Sequence, residues 1–158
     1  MKTVAVGTVG FMAGAAVCAA AVVIVMPGMM IVTAPSRLGF EETVEAVEAG
    51  IADRGWASPG TIDMNRSMAK HGVALEPRVA VVQLCKAEYA KSVLTTDRYV
   101  ASLMPCAIAV YEGEDGKVYV SKMNTGLMGK LFGGNIARVM GGEVAADERA
   151  ILAGVVGD

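Results

Sequence analysis

Residues 103–123 read LMPCAIAVYEGEDGKVYVSKM, and this stretch decides the fold. Two runs of mostly apolar residues flank the acidic, glycine-containing segment GEDG, which is typical of a β-hairpin. Pro105 stands just before the first run, a position that suits a residue without a backbone donor. The stretch therefore predicts two antiparallel strands joined by a tight turn.

The length of the turn decides which side chains share a face of the hairpin. A four-residue loop over 113–116 and a two-residue loop at Asp115 and Gly116 give the same parity. Either loop places Cys106 on one face and Lys122 on the other, so a direct contact between them is not expected. The side chains predicted to share the face of Cys106 are Ile108, Val110, Tyr119 and Ser121.

Outward from the hairpin, strand and helix patterns alternate. The run RVAVVQLC over 78–85 is apolar on both faces, as expected for a central strand. The segment over 40–55 repeats apolar residues at helical spacing and carries glutamates on its outward side. Shorter strand patterns lie at 29–36 and 56–64. The order predicts a two-layer α/β or α+β sandwich, with a mixed sheet of about five strands packed by helices.

The first part of the chain has a different composition. Residues 3–36 contain no charged side chain, and a helix over 3–26 would span about 36 Å, enough to cross a hydrocarbon layer of about 30 Å. This pattern predicts a transmembrane anchor over 1–28 and a single globular domain over 29–158. A cleaved signal peptide is the alternative, because the run also contains small residues that suit a cleavage site.

The anchor suggests the location and the partners of the protein. Lys2 favours an N-terminus on the inside and a domain on the extracytoplasmic side of the membrane. Gly10 and Gly14 form a GxxxG pattern, which lets two helices approach closely. The predicted partners are the lipid bilayer and either a second copy of the chain or another membrane protein.

The charges argue against a nucleic-acid partner. The chain has 14 Lys and Arg residues against 16 Asp and Glu residues, for a net charge of −2. Removing Lys2 leaves 13 basic against 16 acidic residues, so the globular part carries about −3. No basic patch of the kind that binds phosphate backbones stands out.

The cysteines are candidates for chemistry. Cys18, Cys85 and Cys106 show no CxxC spacing, so neither a zinc ribbon nor a c-type haem attachment is indicated. Cys85 ends a predicted strand immediately before a helix, beside Lys86, where a thiol pKa would be lowered. It is therefore the better candidate for a nucleophile or soft ligand, with a packed cysteine at a strand end as the alternative.

Cys106 has no acid or base adjacent in the sequence, which favours a packing role. Whether Cys106 lies near Cys85 depends on the relative direction of the two strands that carry them. Antiparallel strands at 78–85 and 106–111 would bring both thiols to one end, whereas parallel strands would separate them. A single helical crossover implies parallel strands, but two short helices permit either arrangement.

Polar residues concentrate in the segment DMNRSMAKHG over 63–72. His71 is the only histidine of the chain and suits proton transfer or ligand binding. A histidine before a glycine also commonly ends a helix and bonds its spare carbonyls. His71, Cys85 and Cys106 are metal ligands by type, but no close spacing supports such a set. The candidate ligand-binding residues are Asn65, Lys70, His71, Cys85, Cys106, Lys122 and Asn124.

The glycine-rich segment NTGLMGKLFGGN over 124–135 lacks the spacing and the Lys-Ser/Thr ending of a phosphate-binding loop. It therefore does not indicate a nucleotide site, and no motif identifies a cofactor. Its large apolar side chains suit a flap over a pocket, or a contact with a bilayer or a partner: Leu127, Met128, Leu131 and Phe132.

Three stretches carry a family resemblance: GTIDMNRSMAKHG, PRVAVVQLCKAEYA and MPCAIAVYEGEDGKVYVSKMNTGLMGKLFGG. They resemble the domain-of-unknown-function family 302, and most closely a membrane-anchored branch of it, over residues 29–140. The resemblance implies a compact two-layer α/β domain that forms dimers and has no established activity. The anchor and the last helix lie outside this shared region, so no role is carried over to them.

Three functions are consistent with these patterns. The first is a membrane-tethered module that binds a small ligand, a cofactor or a metal. The second is a thiol-dependent redox protein that uses Cys85 and Cys106, and the third is a structural protein that assembles through its transmembrane helix. An enzyme is not favoured, because no nucleophile and base stand at a recognisable spacing.

Overall fold

The structure is a computed structural model that describes residues 14–15 and 19–157. Helical backbone over 19–30 leads into an alternation of strands and helices. The strands are β1 (Ile31–Pro35), β2 (Thr61–Asp63), β3 (Val79–Leu84), β4 (Cys106–Glu112) and β5 (Val118–Met123). The helices are α1 (Phe40–Asp53), α2 (Met64–Ala69), α3 (Ala87–Thr96), α4 (Thr125–Phe132), α5 (Gly134–Arg138) and α6 (Ala145–Leu152). A 3-10 helix (Arg98–Leu103) precedes β4, and a π-helical turn (Val139–Val144) precedes α6.

The five strands form one sheet in the order β1-β5-β4-β3-β2, and every neighbouring pair is antiparallel. The prediction of five strands with helices packed on them is confirmed as an α+β fold, but the prediction of a mixed sheet is wrong. The reason lies between β3 and β4. There α3 and the 3-10 helix run out and back at one end of the sheet, so β4 starts where β3 ends.

The β4–β5 turn contains three residues rather than two or four. Gly113 donates its backbone N–H to the carbonyl of Lys117 at 2.8 Å, which leaves Glu114–Gly116 as the loop. Gly116 has a φ of +74°, the left-handed conformation that closes three-residue hairpin loops and that glycine adopts without strain. A loop with an odd number of residues reverses the parity that an even loop gives.

This turn corrects the predicted faces of the hairpin. Ile108 lies opposite Lys122 in the ladder, and Cys106 is two residues before Ile108. Cys106 therefore shares a face with Lys122, so the predicted separation of these two side chains is wrong. Tyr119 and Ser121, which were expected on the face of Ile108, lie on the other face.

Helices cover one face of the sheet and bury its apolar side chains. Val82, Leu84, Ile108 and Val110 alternate along β3 and β4 and are completely buried. They pack with the apolar stripes of α1 and α6 and with the π-helical turn. The side chains on the other face of β3 and β4 are partly buried, except that of Ala107, which is exposed. The sheet thus has one core face and one face in partial contact with solvent.

Among the helices of residues 14–15 and 19–157, none is long and apolar enough to cross a membrane. The anchor predicted over 1–28 falls in large part on residues 1–13 and 16–18, outside the described residues. Gly10 and Cys18 lie there as well. The anchor and its GxxxG pairing therefore stay predictions.

Candidate functional site

Two polar clusters meet at helix α6, which supplies one carboxylate to each. The Asp147 cluster consists of Asp147 with Trp56, Lys86 and Tyr89. The Glu148 cluster consists of Glu148 with Lys122, Thr125 and Cys106. Consecutive residues on a helix point about 100° apart, so the two carboxylates serve different surroundings.

The Glu148 cluster is built around a buried ion pair. Lys122 Nζ donates to Glu148 Oε2 at 2.7 Å, and Thr125 Oγ1 donates to the same oxygen at 2.7 Å. The Glu148 side chain is 2% exposed and that of Lys122 12%. Burying a charge is costly unless it is paired and hydrogen-bonded, and both conditions hold here.

A cleft of about 360 Å³ opens beside this ion pair. The ladder between β4 and β5 ends at the pair Ile108 and Lys122, and Cys106, Ala107 and Met123 lie beyond it. Lys122, Glu148, Thr125 and Cys106 border the cleft. Most of its other walls are apolar or small, and include Ile31, Leu103, Pro105, Ala107, Ala109 and Met123. The volume lies within the range of small-molecule sites in proteins.

Cys106 contributes a neutral thiol to the cleft. Burial raises its pKa to about 12, and the nearby Glu148 and Cys85 act in the same direction, while Lys122 opposes them. A thiol with this pKa remains protonated at physiological pH. Cys106 therefore offers a weak hydrogen-bonding, polarizable wall rather than a thiolate nucleophile.

In the Asp147 cluster, three donors share one carboxylate oxygen. Asp147 Oδ2 accepts from Trp56 Nε1 at 2.9 Å, from Lys86 Nζ at 3.2 Å and from the Tyr89 hydroxyl at 3.2 Å. The Lys86 ammonium also lies 4.8 Å from the centre of the Tyr89 ring and donates to the Arg54 carbonyl at 3.2 Å. The cluster thereby ties the end of α1 and the start of α3 to α6.

The cluster shifts the pKa values of its own members. Burial opposes the negative charge of Asp147, but the hydrogen bonds from Trp56 and Lys86 outweigh it and lower the Asp147 pKa. Burial also opposes the charge of Lys86, and Asp147 outweighs it in turn, so the Lys86 pKa is raised. Each charge therefore holds the other in its ionised form.

The two thiols come together between the clusters. Cys106 lies opposite Leu84 in the antiparallel ladder, and Cys85 follows Leu84 directly. Both cysteines are free thiols and border one narrow gap of about 20 Å³, next to Trp56. Of the two arrangements left open by the sequence, the structure thus has the one that brings the thiols to the same end of the sheet.

His71 lies away from both thiols. It is exposed at the C-terminal end of α2, which begins where Asp63 pairs with Ala80 at the start of β3. Cys85 lies just beyond the other end of β3, and the five residues from Ala80 to Cys85 rise by about 17 Å along the strand. Within the described residues, no group of three or more His, Cys, Asp and Glu side chains is arranged to hold a metal. The structure does not bring the proposed ligands His71, Cys85 and Cys106 together.

Asn65 stabilises a loop. It donates to the carbonyls of Leu75 at 2.5 Å and Pro77 at 3.2 Å, and accepts from the Val79 backbone at 2.8 Å. Lys70, close to it in the sequence, is exposed at the end of α2. Neither residue borders the cleft beside Glu148.

Asn124 begins helix α4. Its side chain accepts from the Leu127 backbone at 3.1 Å and donates to the Met29 carbonyl at 2.9 Å. These bonds use one donor and one acceptor site of the amide to hold the backbone in place. Of the seven candidates, Cys106 and Lys122 border the cleft, and Cys85 borders the adjoining gap.

Glu148 was not among the candidates proposed from the sequence, although its place in a helical apolar stripe points to it. The last helical segment places Val144, Glu148 and Ile151 at the i, i+4, i+7 spacing of one helical face. A glutamate in an apolar stripe implies a buried partner. Trp56 and Tyr89 gave no comparable signal, because their common partner Asp147 is remote from both in the chain.

The fold and the clusters describe an α+β domain with a small cleft at one end of an antiparallel sheet. The family model described as "Domain of unknown function DUF302" matches residues 32–155, and the chain belongs to this family. The match extends beyond the range 29–140 and includes α6. The prediction that the last helix lies outside the shared region is therefore wrong, and both clustered carboxylates belong to the family domain.

A solved structure has the same fold. It is the crystal structure of an uncharacterized conserved protein DUF302 from Bacillus stearothermophilus, with a TM-score of 0.69 and 17% sequence identity. The alignment covers 79% of this chain and 97% of that one. No curated protein matches the sequence.

Proposed function

We propose that this DUF302 domain binds a small amphipathic molecule in the cleft beside the Glu148 cluster. The observation that carries the proposal is a buried ion pair, Lys122 with Glu148, in the wall of a 360 Å³ space. An ion pair that serves only stability is better enclosed by side chains, since open space adds no packing. A paired charge beside a cleft supplies donors and acceptors to a bound molecule.

The walls of the cleft suggest the chemistry of the ligand. Lys122 and Glu148 neutralise each other, so the site favours neither a strong anion nor a strong cation. Hydroxyls of Ser102 and Ser121 add hydrogen-bonding groups, while the remaining walls are mostly apolar. A ligand with an apolar body and one polar end that is neutral or zwitterionic fits this combination.

We propose further that the domain is tethered to a membrane through the predicted single-pass anchor, on its extracytoplasmic side. The uncharged run over 3–36 supports this proposal. The exposed apolar side chains of Val22, Val23, Ile24 and Val25 add to it, since such a surface is costly in water. Pairing through Gly10 and Gly14, with a second copy or another membrane protein, belongs to the same proposal.

Ligand binding is tested on the full chain purified in detergent, by native mass spectrometry and by thermal unfolding in the presence of extracted small molecules. Ala107→Phe places a large side chain in the cleft wall, whereas Ala87→Phe makes the same change at an exposed position outside it. We expect the bound mass, and the stabilisation that it confers, to vanish in Ala107→Phe and to persist in Ala87→Phe. Equal retention in both variants would place the ligand elsewhere.

A thiol-dependent redox function is the second candidate, because Cys85 and Cys106 border one gap. In this reaction the two thiols lose two protons and two electrons to a small-molecule disulfide and form an internal disulfide. Intact-mass analysis with such an oxidant would show a loss of two hydrogens in the chain, absent in Cys85→Ser. A protein that keeps both thiols reduced under these conditions has no such function.

A further inference from the structure

We infer that the exposed surface at the end of α4 rests on an anionic lipid bilayer. This α4 patch consists of Tyr99, Leu131 and Phe132, with the basic residues Arg98 and Lys130. The inference deepens the proposed membrane tether and rests on it. A tether keeps the domain near the lipid, and the patch gives it one orientation.

The patch is an apolar surface made by two elements. Tyr99 is 66% exposed, Leu131 53% and Phe132 41%. The Tyr99 and Phe132 rings lie 6.2 Å apart between centroids, so the 3-10 helix and α4 contribute to one surface. Large apolar side chains that are exposed together mark interaction surfaces. An amphipathic ring such as that of Tyr99 is common at the boundary between membrane and water.

The charges around the patch favour an anionic partner. Arg98 precedes Tyr99 and Lys130 precedes Leu131, and both basic side chains are exposed. Within the described part of the chain, neither forms an ion pair. The nearest acidic residue in the sequence is Asp97, which accepts a hydrogen bond from the Thr96 hydroxyl at 2.6 Å. Together with Arg98 and Lys130 it leaves a positive net charge at the patch.

The other end of the sheet carries three acidic residues, of which Glu112 pairs with Arg78 and Asp115 pairs with Lys117. Glu112, Glu114 and Asp115 stand at the β4–β5 turn, while Met123, at the far end of β5, lies beside the start of α4. The six residues of β5 separate these ends by about 20 Å. An anionic surface therefore attracts the end that carries Arg98 and Lys130 more strongly, and each basic residue near such a surface contributes about 1 kcal/mol.

The patch lies one short helix away from the N-terminal helix. Asn124 at the start of α4 donates its side-chain amide to the Met29 carbonyl at 2.9 Å and its backbone N–H to the Met30 carbonyl at 2.7 Å. The eight residues of α4 span about 12 Å, so the patch lies within one short helix of this junction. An apolar helix that enters lipid from the junction would bring the patch to the surface of the bilayer.

The same orientation places the cleft near lipid. Leu103 and Met123 border the cleft on one side and the apolar space behind Phe132 on the other. A ligand that partitions into the bilayer would then reach the cleft without crossing bulk water.

The test uses the full chain in vesicles of equal parts phosphatidylcholine and phosphatidylglycerol. A photoreactive benzophenone amino acid replaces Leu131 in one variant and Glu114, at the far turn, in a matched control. We expect cross-linking to lipid at position 131 to exceed that at position 114 several-fold, and to fall when Arg98→Glu and Lys130→Glu are added. Equal cross-linking at the two positions overturns the inference.

Other products at position 131 are equally informative. A cross-link to a second copy of the chain would show that the patch is a protein interface and would overturn the bilayer assignment. Extraction of the unmodified chain with alkaline carbonate separately reports the tether. A chain that resists extraction but gives no lipid product at position 131 keeps its tether and refutes the patch, whereas an extracted chain refutes the tether.

Discussion

Asp147 and Glu148 are neighbours on one helix, yet their surroundings differ. The cluster of Asp147 stabilises the fold, whereas the cluster of Glu148 also borders the cleft. Asp147 is partly exposed, and one oxygen receives three donors from two other parts of the chain. Glu148 is buried, receives two donors, and stands beside a cleft. A polar group whose partners are all in the protein, and whose cluster borders only a narrow gap of about 20 Å³, stabilises the fold. A paired group that borders free space is also available to a ligand.

The largest loss of stability is expected for Glu148→Ala. The change leaves the mostly buried Lys122 ammonium without its counter-ion and with only the Met123 carbonyl, at 3.3 Å, as an acceptor in the protein. Removing one partner of a buried ion pair typically costs about 3–5 kcal/mol of unfolding free energy. Urea unfolding measures the loss. The double variant Lys122→Met with Glu148→Leu should regain most of it, because both charges are then gone. A double variant as unstable as the single one would contradict the explanation that the unpaired Lys122 charge causes the loss.

A smaller loss is expected for Asp147→Ala. Its donors include Lys86 and Tyr89, which are only partly buried and reach water when the carboxylate is absent. We expect a cost of about 1–3 kcal/mol in the same urea experiment. Trp56→Phe, which removes one of the three donors and keeps the aromatic packing, serves as the milder companion. A loss equal to that of Glu148→Ala would abolish the distinction between the clusters.

The pH dependence of stability should sharpen the comparison. A carboxyl whose pKa is lower in the folded than in the unfolded chain stabilises the fold above its unfolded pKa, and this contribution disappears as the pH falls. For Asp147, whose pKa is lowered, the loss should set in below about pH 4. Melting temperatures of the wild type and of Asp147→Asn should therefore converge as the solution is acidified. A constant difference down to pH 3 would contradict the shift.

The smallest effect on stability at neutral pH is expected for Cys106, and its test is a reaction rate. With a pKa of about 12, its thiol should react with iodoacetamide at pH 8 roughly a thousandfold more slowly than a cysteine in an unstructured peptide. Because the unfolded chain loses this proton earlier, stability should fall as the pH rises from 9 toward 12. Peptide mass mapping after timed alkylation measures the rate. Alkylation at the rate of the reference peptide would show that the thiol is accessible and ionised.

The fold predicted from the sequence was wrong where the length of a turn, by a single residue, decides which way side chains face. Five strands and packed helices were predicted correctly, as was the hairpin. The faces of the hairpin were not, because Gly116 closes a three-residue loop where two and four were considered. A change of one residue in a turn moves every side chain of a strand to the other face. The antiparallel arrangement of β3 and β4 could not be predicted either. It depends on the fact that α3 and the 3-10 helix bring the chain back to the end of the sheet that it left.

The candidate site was predicted in part. The cleft is bordered by Cys106 and Lys122, both considered from the sequence, and by Glu148 and Thr125, which were not. His71 attracted attention as the only histidine, but it is exposed and remote from the thiols. Residue type identifies groups able to do chemistry, whereas their proximity depends on contacts between distant segments.

The sequence by itself determined the family, the α+β class and the apolar character of the first 30 residues, because these follow from local pattern and composition. The tertiary structure decided which side of the sheet Lys122 faces, that Glu148 meets it across 26 positions of the chain, and that a cleft opens beside them. The physical reason is that hydrogen bonds, ion pairs and free space arise between segments that only the completed packing brings together.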